Sequence, residues 1–170
     1  YKAADLASKL RQAGATVEVV MTPAATRFIA PLTFQSLTGR DVVVDMFSTA
    51  EAEAHVEVAR RADALVIAPA TANCIANLAH GAAADMVTLT ALATTAPILI
   101  APAMDNQMWE HPATQDNVTT LRERGAEVVG HRGAGVVKVH RAVAFGVHKL
   151  VHQRVGGMAH LVGRALGGHP

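Results

Sequence analysis

Apolar residues along the chain follow two spacings, one typical of helices and one typical of strands. They recur every three or four residues in segments that predict helices over 2–13, 24–28, 32–37, 55–62, 71–79, 85–94 and 112–124. Short runs of apolar and β-branched residues predict strands over 17–21, 42–44, 64–68, 97–101 and 127–129. Because strands alternate with helices through short connections, we expect an α/β fold, a doubly wound open parallel sheet with helices on both faces.

The composition is that of a single globular protein. Of the 170 residues, 51% are hydrophobic and 17% charged, which excludes an intrinsically disordered chain. No stretch approaches the roughly 18 consecutive apolar residues of a membrane-spanning helix, so we expect a cytoplasmic protein with no membrane or nucleic-acid partner. The single cysteine, Cys74, excludes an internal disulfide, and the histidines lack metal-ligand spacing, so we expect no bound metal.

The balance of basic and acidic residues changes near Val129. Residues 1–127 carry nine Lys and Arg against fourteen Asp and Glu, whereas residues 128–170 carry six basic residues and no acidic one. The second part also holds nine of the thirteen glycines and six of the nine histidines. We therefore expect a folded domain over residues 1–129 and an atypical, basic, Gly- and His-rich tail over residues 130–170.

The tail has two interpretations. Apolar residues recur at helical spacing between 139 and 151, which fits an amphipathic terminal helix with a basic face. Alternatively, the coding frame slips near Val129, and the acid-free sequence that follows is an off-frame translation of a GC-rich gene. The composition favours the frame slip.

Polar or proline-marked loops follow three of the predicted strands where each strand ends. Thr22 follows the first strand, Thr71 and Asn73 follow the third, and residues 102–109 follow the fourth. In an open α/β sheet, ligands bind beyond the carboxyl ends of the strands. Hydroxyl and amide groups near helix N-termini favour phosphate binding, and small residues let the backbone approach a flat ligand. On chemistry alone, these loops indicate a nucleotide-like cofactor.

Three ordered motifs resemble those of a known family. Pro69-Ala-Thr-Ala-Asn73 resembles the PASAN motif, and Pro102-Ala-Met-Asp-Asn-Gln-Met-Trp109 the PXMNXXMW motif, of the homo-oligomeric flavin-containing cysteine decarboxylases. His55-Val-Glu-Val-Ala59 resembles the histidine-bearing helix start that precedes PASAN in that family. The likeness covers residues 1–129 in continuous order. Within the family it is greatest to the bacterial phosphopantothenoylcysteine decarboxylases, the amino-terminal halves of bifunctional coenzyme A biosynthesis proteins.

The resemblance implies a Rossmann-like flavoprotein that binds FMN and decarboxylates 4′-phosphopantothenoylcysteine to 4′-phosphopantetheine. In the family, FMN takes a hydride from the cysteine side-chain carbon, and the resulting thioaldehyde loses CO2. The reduced flavin then reduces the enethiol, which the clamp cysteine protonates. His55 is implied as the proton-transfer group, a role that suits imidazole. The resemblance further implies a trimer, or a multiple of trimers, with its active site between protomers. The residues implied to contact the substrate are Asp105 and Met108, and those implied to contact FMN are Thr22, Thr71, Ala72, Asn73, Cys74 and Ala103.

The chain departs from the family pattern at three places. Family members begin with a strand and a Gly-Ser-Ile-Ala-Ala-like turn for the flavin phosphate, whereas this sequence begins at Tyr1, just after that turn. Asp105 stands where the second motif usually has asparagine, and its carboxylate would repel a substrate carboxylate unless it is protonated or paired with a cation. Residues 130–170 contain no cysteine that could correspond to the family's clamp cysteine.

Other interpretations stay open beside this one. The chain could be another flavin-containing cysteine decarboxylase, a flavin prenyltransferase-like enzyme, or a truncated, non-catalytic fragment that binds flavin. Single residues also have structural alternatives. His55 fits a surface helix position, Asn73 fits a helix cap, and the apolar residues of the second motif fit a protein core, namely Met104, Met108 and Trp109.

Under mild trypsin treatment, we expect the tail to be cleaved before the body. Its glycines raise the entropic cost of ordering, and its unbroken positive charge repels itself. Cleavage should therefore begin at Arg132, Lys138 or Arg141 while the body survives. Mass spectrometry of a timed digest checks this. Tail bonds that last as long as those of the body would show that the tail is a folded element and would refute the frame slip.

Overall fold

The computed structural model describes residues 1–45 and 54–129, so the tail and both of its interpretations lie outside the described residues. Within these ranges, no helix is long and apolar enough to cross a lipid bilayer. The helices are α1 (Lys2–Gln12), a short 3₁₀ helix (Ala25–Arg27), α2 (Pro31–Thr38), α3 (Ala54–Arg61), α4 (Ala72–His80), α5 (Met86–Ala93), α6 (Asn106–Glu110) and α7 (Pro112–Glu123). The strands are β1 (Val19–Val20), β2 (Val42–Val43), β3 (Leu65–Ala70), β4 (Ile98–Pro102) and β5 (Glu127–Val128).

The predicted helices and strands are all present, with small differences at their ends. Gly39 and Gly81 end α2 and α4 with φ of 70° and 67°, a left-handed conformation that costs glycine no Cβ clash. The sequence predicts that the third strand stops before Pro69, and this is wrong. β3 continues to Ala70, which pairs with Pro102 after an irregularity in the register. Proline lacks an N–H donor, but the carbonyl group of Ala70 still accepts a hydrogen bond.

The strands pair in parallel, as predicted, but they form two sheets. β1 pairs with β2, and β4 lies between β3 and β5 in a three-stranded sheet. Among the described residues, no ladder of hydrogen bonds joins the two sheets, so the single sheet expected from the sequence is divided. Ile67 lies opposite Ile100 in the register of β3 and β4, and the side chains of Leu99 and Ile100 are fully buried.

Helices cover both faces of the three-stranded sheet. On one face, Ile75 of α4 and Val118 of α7 pack with Ile67 and Ile100 in a buried cluster. Strand residues alternate between faces, so Ala101, the neighbour of Ile100, points to the other face. There α1 supplies Leu6, which packs against Ala101 and Val129. Helices on both faces of parallel strands confirm the doubly wound α/β class.

Helix α1 also contacts the two-stranded sheet. Ala7 is buried in a cluster with Met21, which directly follows β1, and with Phe34 of α2. Val19 and Val42, which pair across the two strands, pack against the same cluster. Neighbouring positions on α1, Leu6 and Ala7, therefore contribute to the cores of two different sheets.

Asp85 begins α5 with a reciprocal pair of hydrogen bonds, which yields a stability prediction. Its Oδ1 accepts from the Thr88 N–H at 2.9 Å, and its own N–H donates to Thr88 Oγ1 at 3.1 Å. Asp85→Ala should lower the free energy of unfolding by about 1 kcal/mol, the usual cost of a lost N-cap. Asp85→Asn keeps an acceptor oxygen and should cost much less. Urea denaturation measures both, and equal losses would show that the charge of Asp85 matters rather than its capping oxygen.

Candidate functional site

The loops that follow β3 and β4 lie side by side. Parallel strands end at the same edge of a sheet, and at that edge the Ala103 N–H donates to the carbonyl oxygen of Ala70, the last residue of β3, at 2.9 Å. This hydrogen bond joins the backbone of the first motif, residues 69–73, to that of the second, residues 102–109. The structure therefore brings together two segments that are about thirty positions apart in the sequence.

The first motif forms the N-terminus of α4. Thr71 is the N-cap, and its Oγ1 accepts a hydrogen bond from the Cys74 N–H at 3.2 Å. The backbone N–H groups of Ala72 and Asn73 lie in the first turn, where a helix offers them no acceptor. No acceptor for either group is found in the described part of the chain. This end of α4 is therefore suited to a ligand that carries oxygen atoms or negative charge.

The second motif forms a short helix that the sequence does not predict. Asp105 is the N-cap of α6, and its Oδ1 accepts from the Gln107 N–H at 2.8 Å. Met104 and Trp109 pack against the buried cluster under the sheet, as the core interpretation predicts. Met108 instead is 50% exposed, so it is available to a ligand. The motif therefore fixes α6 on the core with two side chains and presents others outward.

A cavity of about 380 Å³ lies where the two motifs meet. It is lined by Ala72, Gln107, Met108, His111 and Thr114. Ala72 and Met108 are predicted site residues, one from each motif, whereas His111 and Thr114 were not singled out from the sequence. The available signal was the His111-Pro112 pair, because a residue before an N1 proline is an N-cap candidate. Another cavity, of about 460 Å³, lies between α4, α5 and α7 and contains none of the predicted site residues.

Two predicted site residues, Thr22 and His55, belong to other parts of the fold than the two motifs. Thr22 follows β1, and its Oγ1 accepts from the Ala25 N–H at 3.1 Å. His55 is half-buried in the first turn of α3, and its ring makes no hydrogen bond with the described residues. Neither residue lines the cavity. That Thr22 and His55 share one cleft with the two motifs stays a prediction.

Cys74 faces the protein interior. Its side chain packs against the buried cluster that contains Ile75 and Ile100. Burial, and to a smaller extent the carboxylate of Asp85, raises the pKa of the Cys74 thiol to about 11. The thiol is therefore protonated at neutral pH and is a poor nucleophile. Within residues 1–45 and 54–129, no three His, Cys, Asp or Glu side chains are grouped as metal ligands.

Residues 1–155 match the family described as Flavoprotein. The chain belongs to this family. It is 50% identical over 127 residues to the coenzyme A biosynthesis bifunctional protein CoaBC of Bacillus subtilis, in a match that covers 74% of this chain and 31% of that protein. This member of the Flavoprotein family thus spans about a third of the length of the curated relatives it matches.

Solved flavoprotein structures have the same fold. One is an FMN-dependent cysteine decarboxylase from thioviridamide biosynthesis, with a TM-score of 0.75, 27% identity and coverage of 88% of this chain and 89% of that chain. Another is a PPC decarboxylase mutant complexed with pantothenoylaminoethenethiol, with a TM-score of 0.63, 29% identity and coverage of 75% and 73%. The resemblance to flavin-containing cysteine decarboxylases, predicted from the motifs, is confirmed.

The raised pKa of Cys74 predicts slow alkylation of the folded protein. Iodoacetamide reacts with the thiolate, which is scarce below pH 10 if the thiol titrates near pH 11. At pH 7.5 the native protein should react far more slowly than the same protein in 8 M urea, and its rate should keep rising up to about pH 11. Mass spectrometry follows the reaction. Native and unfolded rates that agree at pH 7.5 would contradict the buried position of Cys74.

Proposed function

We propose that the chain is an FMN-dependent carboxy-lyase that decarboxylates 4′-phosphopantothenoylcysteine to 4′-phosphopantetheine in coenzyme A biosynthesis. The observation that carries this proposal is the cavity shared by Ala72 and Met108, because it joins the two motifs of the family at one edge of the sheet. The 50% identity to a bifunctional coenzyme A biosynthesis protein supports the choice of pathway. The structural similarity to a PPC decarboxylase supports the choice of substrate.

The residues at the strand ends fit FMN. Ala72 and Ala103 are small enough to let a flat ring approach the backbone, and the N–H groups of Ala72 and Asn73 are available as donors. The hydroxyl oxygens of Thr22 and Thr71 accept capping hydrogen bonds, which leaves each O–H able to donate to a ligand. Bound FMN would supply the hydride-transfer chemistry of the reaction. Cys74 contributes to this turn through its backbone, since its side chain is packed inward.

The protein's own groups bind and orient the substrate. Met108 offers an exposed apolar surface beside Ala72. We assign Asp105 to the amide or thiol of the substrate, because its charge would repel the substrate carboxylate. Its capping hydrogen bond to Gln107 fixes one carboxylate oxygen and leaves the other for this contact. His55 is assigned to proton transfer, since both of its ring nitrogens lack partners among the described residues.

We extend the proposal to assembly and location. Phe28 is 92% exposed and Leu32 is 67% exposed, and burying such side chains against another protomer is favourable. These apolar side chains support association with further protomers, and the assembly that we propose from the family resemblance is a trimer, or a multiple of trimers, with the active site between protomers. We place the protein in the cytoplasm and assign catalysis to residues 1–129, with residues 130–170 as a separate tail.

A second candidate is decarboxylation of a different cysteine-bearing substrate. The TM-score of 0.75 to the FMN-dependent cysteine decarboxylase from thioviridamide biosynthesis favours it. Both candidates use the same motifs and cofactor, so they differ only in what carries the cysteine.

Release of CO2 from 4′-phosphopantothenoylcysteine in the presence of FMN tests the proposed function. We expect CO2 and 4′-phosphopantetheine in equal amounts. A peptide that ends in cysteine is the comparison substrate, and CO2 from the peptide alone would favour the second candidate. FMN binding without CO2 from either substrate would identify a flavin-binding fragment and refute the enzymatic proposal.

Replacement of His55 tests its assigned role. His55→Asn should lower the rate of CO2 release by about 100-fold or more, the usual scale for loss of a proton-transfer group, without changing flavin content. His80→Asn is the matched control, because His80 is an exposed residue at the C-terminal end of α4, away from the first motif, and its Nδ1 hydrogen-bonds to the Ala76 carbonyl oxygen. His80→Asn should keep full activity. An active His55→Asn variant would remove His55 from the mechanism.

A further inference from the structure

A side chain of α7 holds the end of the second motif. Gln115 is half-buried, and its Nε2 donates a hydrogen bond to the backbone carbonyl oxygen of Trp109 at 2.6 Å. Gln115 does not line the cavity between the two motifs, and it has no role in the proposed function. Its contact with α6 therefore needs an explanation of its own.

The Trp109 carbonyl oxygen lacks a backbone donor because α6 ends here. In a longer helix this oxygen would accept from the N–H four residues later, which is that of Ala113. The Ala113 N–H donates instead to Nδ1 of His111, at 3.2 Å. Pro112 has no N–H, so the helical ladder cannot continue through that position either. Gln115 thus supplies the donor that the backbone does not.

Helix α6 depends on contacts outside itself. It has five residues, and a helix this short is not stable by itself in water. Before α6, the Ala103 N–H donates to the Ala70 carbonyl oxygen at 2.9 Å, and near its end Gln115 donates to the Trp109 carbonyl oxygen. The Trp109 side chain also packs against the buried cluster. The second motif is therefore held to β3 at one end and to α7 at the other.

The hydrogen bond from Gln115 joins two of the helices that line the 380 Å³ cavity. Met108 of α6 and Thr114 of α7 line that cavity, and they directly precede Trp109 and Gln115 in the sequence. The bond between Gln115 and Trp109 thus fixes α6 against α7 next to two lining residues. Met108 and Asp105, which the proposed function assigns to the substrate, belong to the helix that is held and to its N-cap.

We propose that Gln115 is a positioning residue for the second motif. Its hydrogen bond to the Trp109 carbonyl oxygen fixes α6 against α7 and thereby places Met108 and Asp105 for substrate binding. The statement about substrate rests on the proposed function. The statement about α6 does not, so each is tested by a separate measurement.

Three variants separate this hydrogen bond from other effects. Gln115→Met keeps the length of the side chain but has no N–H donor, whereas Gln115→Lys keeps a donor on a side chain of similar reach. Gln, Met and Lys have similar helix propensities, so none of the changes weakens α7 intrinsically. Gln12→Met is the matched control, because Gln12 is exposed at the end of α1 and its amide donates to Ser8 Oγ at 3.1 Å.

Fluorescence tests the hold on α6, since Trp109 is the only tryptophan in the sequence. At equal flavin content, Gln115→Met should emit at longer wavelength and be quenched more by acrylamide, because its indole is held less firmly against the buried cluster. Gln115→Lys and Gln12→Met should match the unmodified protein. Unchanged fluorescence in Gln115→Met, or the same change in Gln115→Lys, would overturn the proposal whatever the melting temperatures are.

Steady-state kinetics test the placement of substrate. In Gln115→Met the KM for 4′-phosphopantothenoylcysteine should rise about fivefold, the usual effect of one lost hydrogen bond, with little change in kcat. A variant that is only less stable would melt lower and keep its KM, and that result would overturn the role in substrate placement. If the unmodified protein releases no CO2, the proposed function fails. A fluorescence change confined to Gln115→Met would then still uphold the hold of Gln115 on α6.

Discussion

The parallel pairing of β3 with β4 is the constraint on which the candidate site depends. Parallel strands end at the same edge, so each motif is delivered to that edge by the strand before it. The hydrogen bond from the Ala103 N–H to the carbonyl oxygen of Ala70, the last paired residue of β3, then holds the two following loops together. The apolar residues through which both strands are buried thus also determine which polar groups of the two following loops lie next to each other. A shift of the register would separate the motifs as well as disturb the core.

The second motif places side chains both in the core and at the cavity. Met104 and Trp109 are packed against the buried cluster, while Met108 remains half exposed at the cavity. Asp105 caps α6, which carries Met108 and Trp109. The aspartate caps a helix as well as the asparagine usual in the family, so the local fold tolerates the exchange. What the exchange alters is the charge at the start of α6.

Much of the fold could be predicted because long apolar patterns reflect burial directly. Strands 64–68 and 97–101 and the long helix over 112–124 are of this kind. The α6 helix was missed because five residues are too few to show a period of 3.6, and Ala70 was missed because proline usually ends a strand. The division into two sheets depends on hydrogen bonds between distant strands. His111 and Thr114 were not predicted to line a cavity because the packing of α6 and α7 brings them there, and sequence spacing does not show that packing.

Helix α1 couples the two sheets, which no strand pairing joins within the residues that the structure describes. Leu6 is buried on the three-stranded sheet and its neighbour Ala7 on the two-stranded one. Any fluctuation that detaches α1 therefore exposes apolar side chains of both cores at once. Neither sheet can lose its contact with α1 while the other sheet keeps it. Protection of backbone amides against hydrogen exchange should follow the same logic, with the innermost amides of the two sheets sharing one opening event governed by a helix. In the described part of the chain, the two sheets are thus coupled by the neighbouring side chains of Leu6 and Ala7 on α1, and not by a continuous ladder of hydrogen bonds between strands.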